Sequence, residues 1–442
     1  MSKKTLNHSA SSPVIPRPDH TLSRTDISEN ALKVLYRLKK AGYASYLVGG
    51  GVRDILLDRH PKDFDIATDA LPEQVRALFR NSRIIGRRFR LVHVRFGRDI
   101  IEVATFRSHY DEGEDDNEGK VTNGLILRDN VFGTLEEDAW RRDFTINALY
   151  YNIADFSVVD YTGAMQDLQK RTLRMIGDPV VRLQEDPVRM LRAIRFAGKL
   201  DFQIESGLAM QIKAQGERLE LVPPARLFDE VLKLFFSGHA QKTLALLEEY
   251  QLLQYLFSQT SACVNAGGYA GRFVQFALRN TDQRLAEDKP VNPAFLFATF
   301  LWPAVQEQSQ LLQKSDQSAL QALHSAGQEV LRSQNIQVAI PKRFSLMMKE
   351  IWTFQARLEQ RRGKRPLGLL EHKRFRAAYD FMLLRHEAGE ELAELCDWWT
   401  RFQDVSADER NTMCKSQGGQ PRRKRPRSHK KKTDSSTKDG NG

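Results

Sequence analysis

The segment Leu47–Asp65 (LVGGGVRDILLDRHPKDFD) constrains the fold more than any other part of this 442-residue chain. An apolar run ends in three glycines starting at Gly49, and the VRDILL that follows predicts a helix. Asp63 and Asp65 then flank one phenylalanine where the next apolar run begins. Because residues two apart on a strand point to the same face, the segment predicts strand, turn, helix and a second strand with two adjacent carboxylates.

Two neighbouring carboxylates repel each other, and a raised pKa or a divalent cation relieves the repulsion. Oxygen ligands on a rigid strand suit Mg²⁺, and a pair of such ions serves phosphoryl or nucleotidyl transfer. Backbone NH groups at Gly49 and Gly50 can approach phosphate without Cβ obstruction, and Arg53 adds a permanent cation. The segment therefore predicts phosphate and metal chemistry, although it is neither a Walker loop nor a Rossmann GxGxxG turn.

A third carboxylate is expected, because two ions need more ligands than two aspartates supply. Glu102 lies among apolar residues in IIEVATF, and the alternative to a metal role is an ion pair with Arg95 or Arg107. Asp143 in RRDFTINALYYN either completes the site or is the N-cap of a helix predicted to begin there. The preceding Arg142 favours a place beside a ribose and triphosphate.

The secondary-structure patterns divide the chain into a strand-containing part and a helical remainder. Strand patterns recur up to about residue 177, and amphipathic helical patterns dominate from Asp178 onward. The expected fold class is α+β, with a small mixed sheet and helices followed by an elongated all-α remainder. The predicted segments are 1–25 (disordered lead), 26–177 (head), 178–236 (helical neck), 237–335 (helical body), 336–405 (helical leg) and 406–442 (disordered basic tail).

Composition bounds the class of protein. The chain is 41% hydrophobic and 28% charged, without an apolar run near the ~20 residues that span a bilayer and without a signal-peptide core at its N-terminus. Its three cysteines, Cys263, Cys396 and Cys414, form no CxxC pattern, which argues against a zinc site or a disulfide framework. We therefore expect a cytoplasmic protein without a transmembrane segment.

Basic residues concentrate near the C-terminus. Residues 421–432 contain eight Lys or Arg and no acid, and subtracting these eight from the net charge of +11 leaves +3 for the rest of the chain. Such a tail is expected to contact nucleic acid, with solubilisation as the simpler alternative. The residues most directly implicated are Arg422, Arg423, Lys424 and Arg425.

A second basic cluster lies in the head. Arg87, Arg88 and Arg90 precede the strand pattern LVHVRFG and are expected to contact RNA near the catalytic strands. Six acids between Asp111 and Glu118 predict a solvated loop, to which no chemistry is assigned.

The motifs LVGGGVRD, KDFDIATDA, RRDFTINAL and EDPVRMLRAIRFAGKL, in this order, resemble those of the bacterial poly(A) polymerase and CCA-adding tRNA nucleotidyltransferase family. That family belongs to the polymerase-beta-like nucleotidyltransferases, and the likeness is dense over residues 45–200. It implies a polymerase-beta-like head, ATP as substrate, and Asp63 and Asp65 as ligands of Mg²⁺ or alternatively Mn²⁺. The other implied contacts are Gly49, Gly50 and Arg53 for the nucleotide phosphates and Arg142 and Asp143 for the sugar, with Asp143 also grouped with the catalytic carboxylates.

The resemblance further implies base recognition in the neck, with Asp186 and Arg189 hydrogen-bonding the base edge. From the residues alone, Asp186 before Pro187 is a good N-cap and N1 pair, so capping alone is the alternative. Arg189, Arg192 and Arg195 fall three residues apart on one side of the predicted helix. They form either a solvated face or contacts to triphosphate and RNA.

The family contains polymerases that add runs of A to many RNAs and enzymes that complete the CCA end of tRNA. IIGRRFRLVHVRF resembles the poly(A) branch, and a basic C-terminal extension suits a polymerase that holds varied RNA by its backbone. We expect template-independent polyadenylation of RNA 3′ ends, with RNA bound by the leg. The alternatives are a CCA-adding enzyme and an RNA-binding protein with a degenerate transferase head. Expected partners are RNA 3′ ends, ATP and RNA-decay proteins such as a helicase or RNA chaperone, and the chain is expected to be a monomer.

Overall fold

The computed structural model describes residues 13–86, 90–108, 119–122, 125–129, 131–265 and 267–416. Strands occur in the first half of these residues and are numbered in chain order. They are β1 (Val14–Ile15), β2 (Ser45–Val48), β3 (Asp65–Thr68), β4 (Ser82–Ile85), β5 (Leu91–Phe96), β6 (Asp99–Thr105), β7 (Gly119–Thr122), β8 (Leu125–Asp129), β9 (Leu149–Asn152), β10 (Val158–Asp160), β11 (Thr172–Leu173) and β12 (Gln203–Ile204).

Helices accompany the strands and then replace them. The helices of the head are α1 (Glu29–Lys40), α2 (Gly50–Leu56), α3 (Pro72–Leu78), α4 (Leu135–Arg141) and α5 (Ala164–Gln169). Those that follow are α6 (Pro179–Glu185), α7 (Val188–Leu200), α8 (Ser206–Gln215), α9 (Pro224–Phe235), α10 (Ala240–Glu249), α11 (Leu253–Leu256), α12 (Ser258–Asn265), α13 (Tyr269–Ala286), α14 (Pro293–Lys314), α15 (Ala319–Gln337), α16 (Lys342–Leu358), α17 (Arg365–Leu370), α18 (Phe375–Glu387), α19 (Ala393–Asp404) and α20 (Ala407–Ser416).

Eight strands form one mixed sheet in the order β1-β10-β9-β2-β3-β6-β5-β4. β3 and β6 run parallel, and the other neighbours run antiparallel. Alternate residues bury on opposite faces, with Leu47 and Ile66 in the main core and Val48 and Ala67 in a smaller cluster. The predicted mixed sheet of the head and the helical remainder are confirmed.

The helix predicted to begin in RRDFTINALYYN is wrong. Thr145–Asn147 forms a short 3-10 turn, and β9 follows it. Leu149, Tyr150 and Tyr151 are buried, because β9 lies in the interior of the sheet between β10 and β2. Aromatic residues packed on both faces are typical of such a strand.

The disordered lead predicted for residues 1–25 is too long. β1 pairs with β10 at the edge of the sheet, placing Val14 opposite Val159, and two 3-10 turns follow before residue 27. Backbone pairing and the burial of Leu22 in the main core hold this segment in place. Residues 1–12 lie outside the described part of the chain.

The unstructured tail predicted from residue 406 also begins too early, because α20 occupies its first residues. Cys414 of α20 is buried in the apolar cluster of the leg, and Met413 packs against that cluster. Arg410 of α20 donates hydrogen bonds to the carbonyl groups of Phe402 and Gln403 at 2.8 and 2.7 Å. Residues 417–442 lie outside the described part.

Two apolar clusters show how the helices join the head. The main cluster runs from the sheet through α7 and α9 to Trp352 of α16, so the head and the following helices share one core. The leg has a separate cluster that includes Phe375, Trp399 and Phe402. The division into neck, body and leg stays a prediction. In the ranges that the structure describes, no helix has the length and apolarity to cross a membrane.

Candidate active site

The glycine-rich turn between β2 and α2 lies against the segment that carries the aspartates. Gly49 has a φ of 72°, a left-handed conformation that favours glycine. A Cβ atom on Gly49 would lie 3.5 Å from Nη1 of Arg142, and one on Gly51 would lie 3.5 Å from the carbonyl oxygen of Asp63. The three glycines, from Gly49 through Gly50 to Gly51, line a cleft together with Arg142 and Asp63.

Arg53 is 2% exposed, and its guanidinium is held on two sides. Nε and Nη2 donate to Oδ1 of Asp54 at 2.8 and 2.6 Å, and Nη1 donates to Oδ1 of Asn147 at 2.6 Å. Arg53 therefore lines the cleft as a fixed charge. Its contact with phosphate stays a prediction.

Asp63 and Asp65 both line the cleft, but they do not belong to one regular strand as predicted. β3 begins at Asp65, and Asp63 lies in the exposed loop before it. The pKa of Asp65 is raised to about 6, first by burial and then by the charges of Glu102 and Asp63, against the opposing effect of Arg142. Asp65 is therefore a largely buried carboxylate with two other carboxylates close enough to raise its pKa.

A buried carboxylate beside a second one in the same cleft fits a divalent cation. The described ranges contain no group of three or more His, Cys, Asp or Glu side chains placed to hold a metal. Mg²⁺, however, commonly takes one or two carboxylates and completes its coordination with water and substrate phosphates. Asp63 and Asp65 fit a metal of that kind.

Glu102 of β6 lies beside Asp65 because the two residues are register partners in the sheet. Its carboxylate contacts Nε2 of His93 on β5 at 3.0 Å. The alternative ion pair with Arg95 or Arg107 is wrong, since the cross-strand register places His93 directly opposite Glu102. Glu102 does not line the cleft and acts on Asp65 through its charge.

Asp143 is fixed by several donors and caps no helix. Nε and Nη2 of Arg192 lie 2.6 and 2.5 Å from its Oδ2, and Asn147 and the backbone NH of Phe144 donate to Oδ1 at 3.1 and 2.9 Å. Burial alone would raise the pKa of Asp143, but Arg192 and these hydrogen bonds outweigh burial and lower the pKa to about 2. The N-cap alternative is wrong, because a 3-10 turn and a strand follow.

Arg142 is anchored by Asp138, which sequence reasoning missed. Nε and Nη2 donate to Oδ2 of Asp138 at 3.2 and 3.0 Å, and Nε also donates to the hydroxyl of Tyr150 at 2.8 Å. Burial would lower the pKa of Arg142, but Tyr150 and Asp138 together raise it. The spacing of four residues between Asp138 and Arg142 was the signal that could have found this pair.

One face of α7 supplies a cationic wall, since Arg192, Arg195 and Lys199 all line the cleft. The ring of Phe196 lies among three guanidinium groups. Its centroid is 5.2 Å from Cζ of Arg53, 5.5 Å from Cζ of Arg192 and 5.0 Å from Cζ of Arg195. An aromatic face attracts cations, so the ring allows three like charges to gather at one point.

Arg195 has capacity left for a ligand. Its buried Nε has no hydrogen-bond partner in the described part of the chain, and burial together with Arg192 lowers its pKa. A phosphate oxygen in the cleft would satisfy such a donor. Lys199, whose Nζ lies 3.6 Å from Oδ2 of Asp54, adds a further cation to the same wall.

The predicted base-edge pair lies outside the cleft-lining residues. Asp186 accepts from Nη2 of Arg226 at 2.7 Å and from the backbone NH of Val188, the first residue of α7, at 3.3 Å. The N-cap of α7 is Pro187, one residue later than predicted. Arg189 donates to Oε2 of Glu185 at 2.8 Å. Of the three predicted arginines of α7, Arg189 is in this ion pair, whereas Arg192 and Arg195 line the cleft. Base recognition by Asp186 and Arg189 stays a prediction.

The cleft has a volume of about 560 Å³ and is lined by seven Lys or Arg and four Asp side chains. The positive excess suits a nucleoside triphosphate with its metal. The residues that sequence reasoning missed are Asp54, Arg59, His60, Lys62, Asn147, Phe196 and Lys199. The spacing of Lys199 seven residues after Arg192 was a usable signal, whereas nothing in the sequence indicated Arg59 or Lys62.

The predicted RNA contacts of the head and tail are mostly outside the described residues, which include neither Arg87 and Arg88 nor Arg422, Arg423, Lys424 and Arg425. Arg90 is described and is ion-paired with Glu73.

Three segments of the chain match poly(A) polymerase families. Residues 45–174 match the poly A polymerase head domain, residues 201–263 the probable RNA and SrmB-binding site of polymerase A, and residues 315–432 the polymerase A arginine-rich C-terminus.

The poly(A) polymerase I of Salmonella typhimurium is 49% identical over 426 residues, which is 95% of this chain and 92% of that protein. This chain belongs to the poly(A) polymerase I family. The poly(A) polymerase I of Haemophilus influenzae is 44% identical over 429 residues, 95% of each chain. The predicted family and its poly(A) branch are therefore confirmed.

The polymerase fold is shared with a solved relative. The Bacillus stearothermophilus CCA-adding enzyme in complex with CTP is 25% identical, with a TM-score of 0.58, and the match covers 84% of this chain and 80% of that one. The head of this poly(A) polymerase is thus a nucleotidyltransferase head, and CCA-adding enzymes are more distant relatives.

Proposed function

We propose that this chain transfers AMP from ATP to the 3′-hydroxyl of RNA without a template, and that the transfer takes place in the cleft lined by Asp63, Asp65 and α7. The observation that carries the proposal is the relationship to poly(A) polymerase I over almost the whole chain. A polynucleotide adenylyltransferase needs a site for a triphosphate, a metal and a 3′ end. The cleft offers fixed cations and paired carboxylates for the first two.

Asp63 and Asp65 would hold a divalent cation, Mg²⁺ or alternatively Mn²⁺. When bound, the cation lowers the pKa of the attacking hydroxyl and offsets charge on the triphosphate. Asp65, with a pKa of about 6, is ionised at neutral pH and so able to coordinate.

The α7 wall would bind the phosphates. The reaction joins the RNA 3′-oxygen to the α-phosphorus and breaks the bond from that phosphorus to pyrophosphate. Negative charge moves onto the leaving pyrophosphate, and fixed donors on Arg192, Arg195 and Lys199 would stabilise it there. Asp143 holds Arg192 in place for this role.

Adenine selection is assigned to the neck. Asp186 offers an acceptor and Arg189 a donor, which together match the amino group and the ring nitrogen of the adenine edge. Their ion pairs with Arg226 and Glu185 hold both side chains in position.

Residues 201–263 would contact protein as well as RNA. The match to a probable RNA and SrmB-binding site supports this, and Met210 and Leu221 in the segment are 67% and 54% exposed. Exposed apolar side chains favour a protein contact. We propose an RNA-decay partner such as a helicase or RNA chaperone, and a monomer acting in the cytoplasm.

The test is nucleotide selection on a generic single-stranded RNA, with each NTP offered separately in the presence of Mg²⁺. We expect long tails from ATP alone, with one pyrophosphate released per AMP added. Addition of one or three residues only to truncated tRNA would identify a CCA-adding enzyme instead. RNA binding without any nucleotide transfer would identify the degenerate transferase.

A further inference from the structure

A second cleft, here called the leg cleft, lies among the C-terminal helices. It has a volume of about 590 Å³ and shares no residue with the catalytic cleft. Its wall comes from the start of α15, the end of α16, and α17 with the loop before it. The residues that matter here are Leu320, Arg357, Gln360, Lys364, Arg365 and Gly368.

The leg cleft is lined by cations and by no acid. Over the ranges that the structure describes, Arg357, Lys364 and Arg365 have no carboxylate partner. Arg365 donates to Oε1 of Gln360 at 2.5 Å, and Arg357 lies 4.6 Å from the ring centroid of Phe354. These neutral contacts orient the guanidinium groups without cancelling their charge.

Two other arginines of the leg, which do not line the cleft, are ion-paired. Arg361 lies 2.8 Å from Glu394, and Arg374 lies 2.7 Å from Glu350. Carboxylates are therefore available in the leg, and the cations of the leg cleft do not use them. A concave surface lined by charges of one sign raises the local concentration of oppositely charged ligands, so the leg cleft favours an anionic occupant.

We propose that the leg cleft binds the phosphate backbone of single-stranded RNA, upstream of the 3′ end that enters the catalytic cleft. This rests on the proposed function, which supplies the RNA. Leu320 is 43% exposed, and no heavy atom lies within 4 Å of a Cβ position on Gly368, so one wall is uncharged and open to a base.

The chain's own tail is excluded as the occupant by its charge. The backbone NH of Gly363 donates to the carbonyl oxygen of Cys414 at 3.4 Å, so the chain leaves α20 beside Lys364. The residues that follow include eight Lys or Arg between 421 and 432. The cationic tail would be repelled by the cations of the leg cleft, but the tail and the cleft can bind the same polyanion.

The first experiment removes the cations of the leg cleft in the full chain, as Arg357→Gln, Lys364→Gln and Arg365→Gln together. The charge-matched control is Arg362→Gln, Lys373→Gln and Arg401→Gln, which are exposed in the leg and do not line the cleft. Fluorescence anisotropy would measure binding of a labelled RNA of about 16 nucleotides, the upper end of single-stranded site sizes. Salt would be varied from about 50 to about 200 mM.

Loss of three phosphate contacts should reduce the slope of log K against log salt by about 2 and weaken binding roughly 10- to 100-fold. The control should change the slope by less than about 1, because it removes charge without removing contacts. A cleft variant whose slope and affinity equal those of the control would overturn the proposal.

A second variant blocks the leg cleft without touching its cations. Gly368→Glu places a bulky anion in open space, whereas Gly368→Ala adds only a methyl group. We expect Gly368→Glu to weaken RNA binding and Gly368→Ala to leave it unchanged, with equal thermal unfolding. Wild-type RNA binding by Gly368→Glu would contradict the assignment, and so would a loss confined to duplex RNA.

The two proposals fail separately. AMP transfer to a trinucleotide primer depends on the catalytic cleft and should be unchanged in every leg-cleft variant. Absence of AMP transfer in the wild type would end the proposed function, while the comparison of salt slopes would still decide whether the leg cleft binds RNA.

Discussion

The catalytic cleft and the leg cleft are nearly equal in volume and both are cationic, yet their charges are held differently. Arg53, Arg142 and Arg192 are each bound to an aspartate, whereas Arg357 and Lys364 have no carboxylate partner in the described ranges. Fixed, countered cations suit a reaction in which charge moves, because they need no reorganisation. Exposed, uncountered cations suit retention of a varied polyanion. The pairing of the cations therefore distinguishes the catalytic cleft, where the reaction is proposed to occur, from the leg cleft, which is proposed to bind RNA.

The largest effect that this comparison predicts is in Asp65→Asn. Without one of two metal-holding carboxylates, AMP transfer should fall by roughly 1,000-fold or more, since metal stabilisation is worth several kcal/mol. RNA affinity should not fall, because the leg cleft is intact. Transfer rates and anisotropy on the same preparation would measure both, with Asp99→Asn at the exposed start of β6 as the control.

A near-normal rate of AMP transfer by Asp65→Asn would contradict the proposed role of Asp63 and Asp65 in holding the metal. A parallel loss of RNA affinity would instead show that the two clefts are not functionally distinct.

The next effect concerns the buried pair in the catalytic cleft. Arg192→Gln leaves Asp143 buried without its cation and should lower the free energy of unfolding by about 3 kcal/mol. Urea unfolding followed by circular dichroism would measure the loss. The double variant Asp143→Asn, Arg192→Gln should lose less, because it leaves no buried unpaired charge. A double variant less stable than Arg192→Gln alone would contradict this account.

The same pair sets a pH dependence. The pKa of Asp143 is about 2 in the folded chain and about 3.9 in an unfolded one, so its stabilisation is fully present above about pH 4 and is lost as pH falls toward about 2. In Arg192→Gln, burial remains as the main influence and raises the pKa. Protonation of Asp143 then removes the buried unpaired charge of the variant. The difference in unfolding free energy between the wild type and Arg192→Gln should therefore become smaller as pH falls from 7 to about 4.5.

The sequence predicted those site residues whose placement follows from local geometry. Gly49, Asp63 and Asp65 lie within one strand-turn-helix-strand unit, so their meeting in a cleft follows from short-range structure. The resemblance added Arg142 and Asp143. The position of the strand boundary at Asp65 was not predictable, because periodicity does not fix where pairing begins.

Several of the residues that were missed depend on long-range contacts. His93 meets Glu102 only through the β5–β6 register, and Phe196 meets Arg53 only because α7 packs beside α2. The segment from Leu149 was predicted as a helix, since a short apolar run is compatible with either a helix or a strand. It forms a strand because it pairs with neighbouring strands in the interior of the sheet. Such information does not lie in any single window of the sequence.

A smaller effect tests how the catalytic cations are positioned. In Phe196→Leu the guanidinium groups of Arg53, Arg192 and Arg195 lose their shared ring, and the KM for ATP should rise about tenfold, as expected for cation–π contacts of about 1 kcal/mol or more. Phe196→Tyr keeps the ring and should retain the wild-type KM. RNA affinity should stay constant in both. A fall in kcat with unchanged KM would show that the ring serves another purpose.

The smallest effect lies in the leg, at the contact that orders α20. Arg410→Gln removes the hydrogen bonds to the carbonyl groups at the end of α19 and should cost about 1 kcal/mol locally. Because the leg has its own apolar cluster, the change should appear as faster amide exchange in α19 and α20, with no change in the head. Arg376→Gln, which breaks an exposed ion pair with Asp380, is the control and should cost less. Faster amide exchange in the head as well would show that the leg and the catalytic cleft unfold as one cooperative unit. The two clefts would then differ only in how their charges are paired.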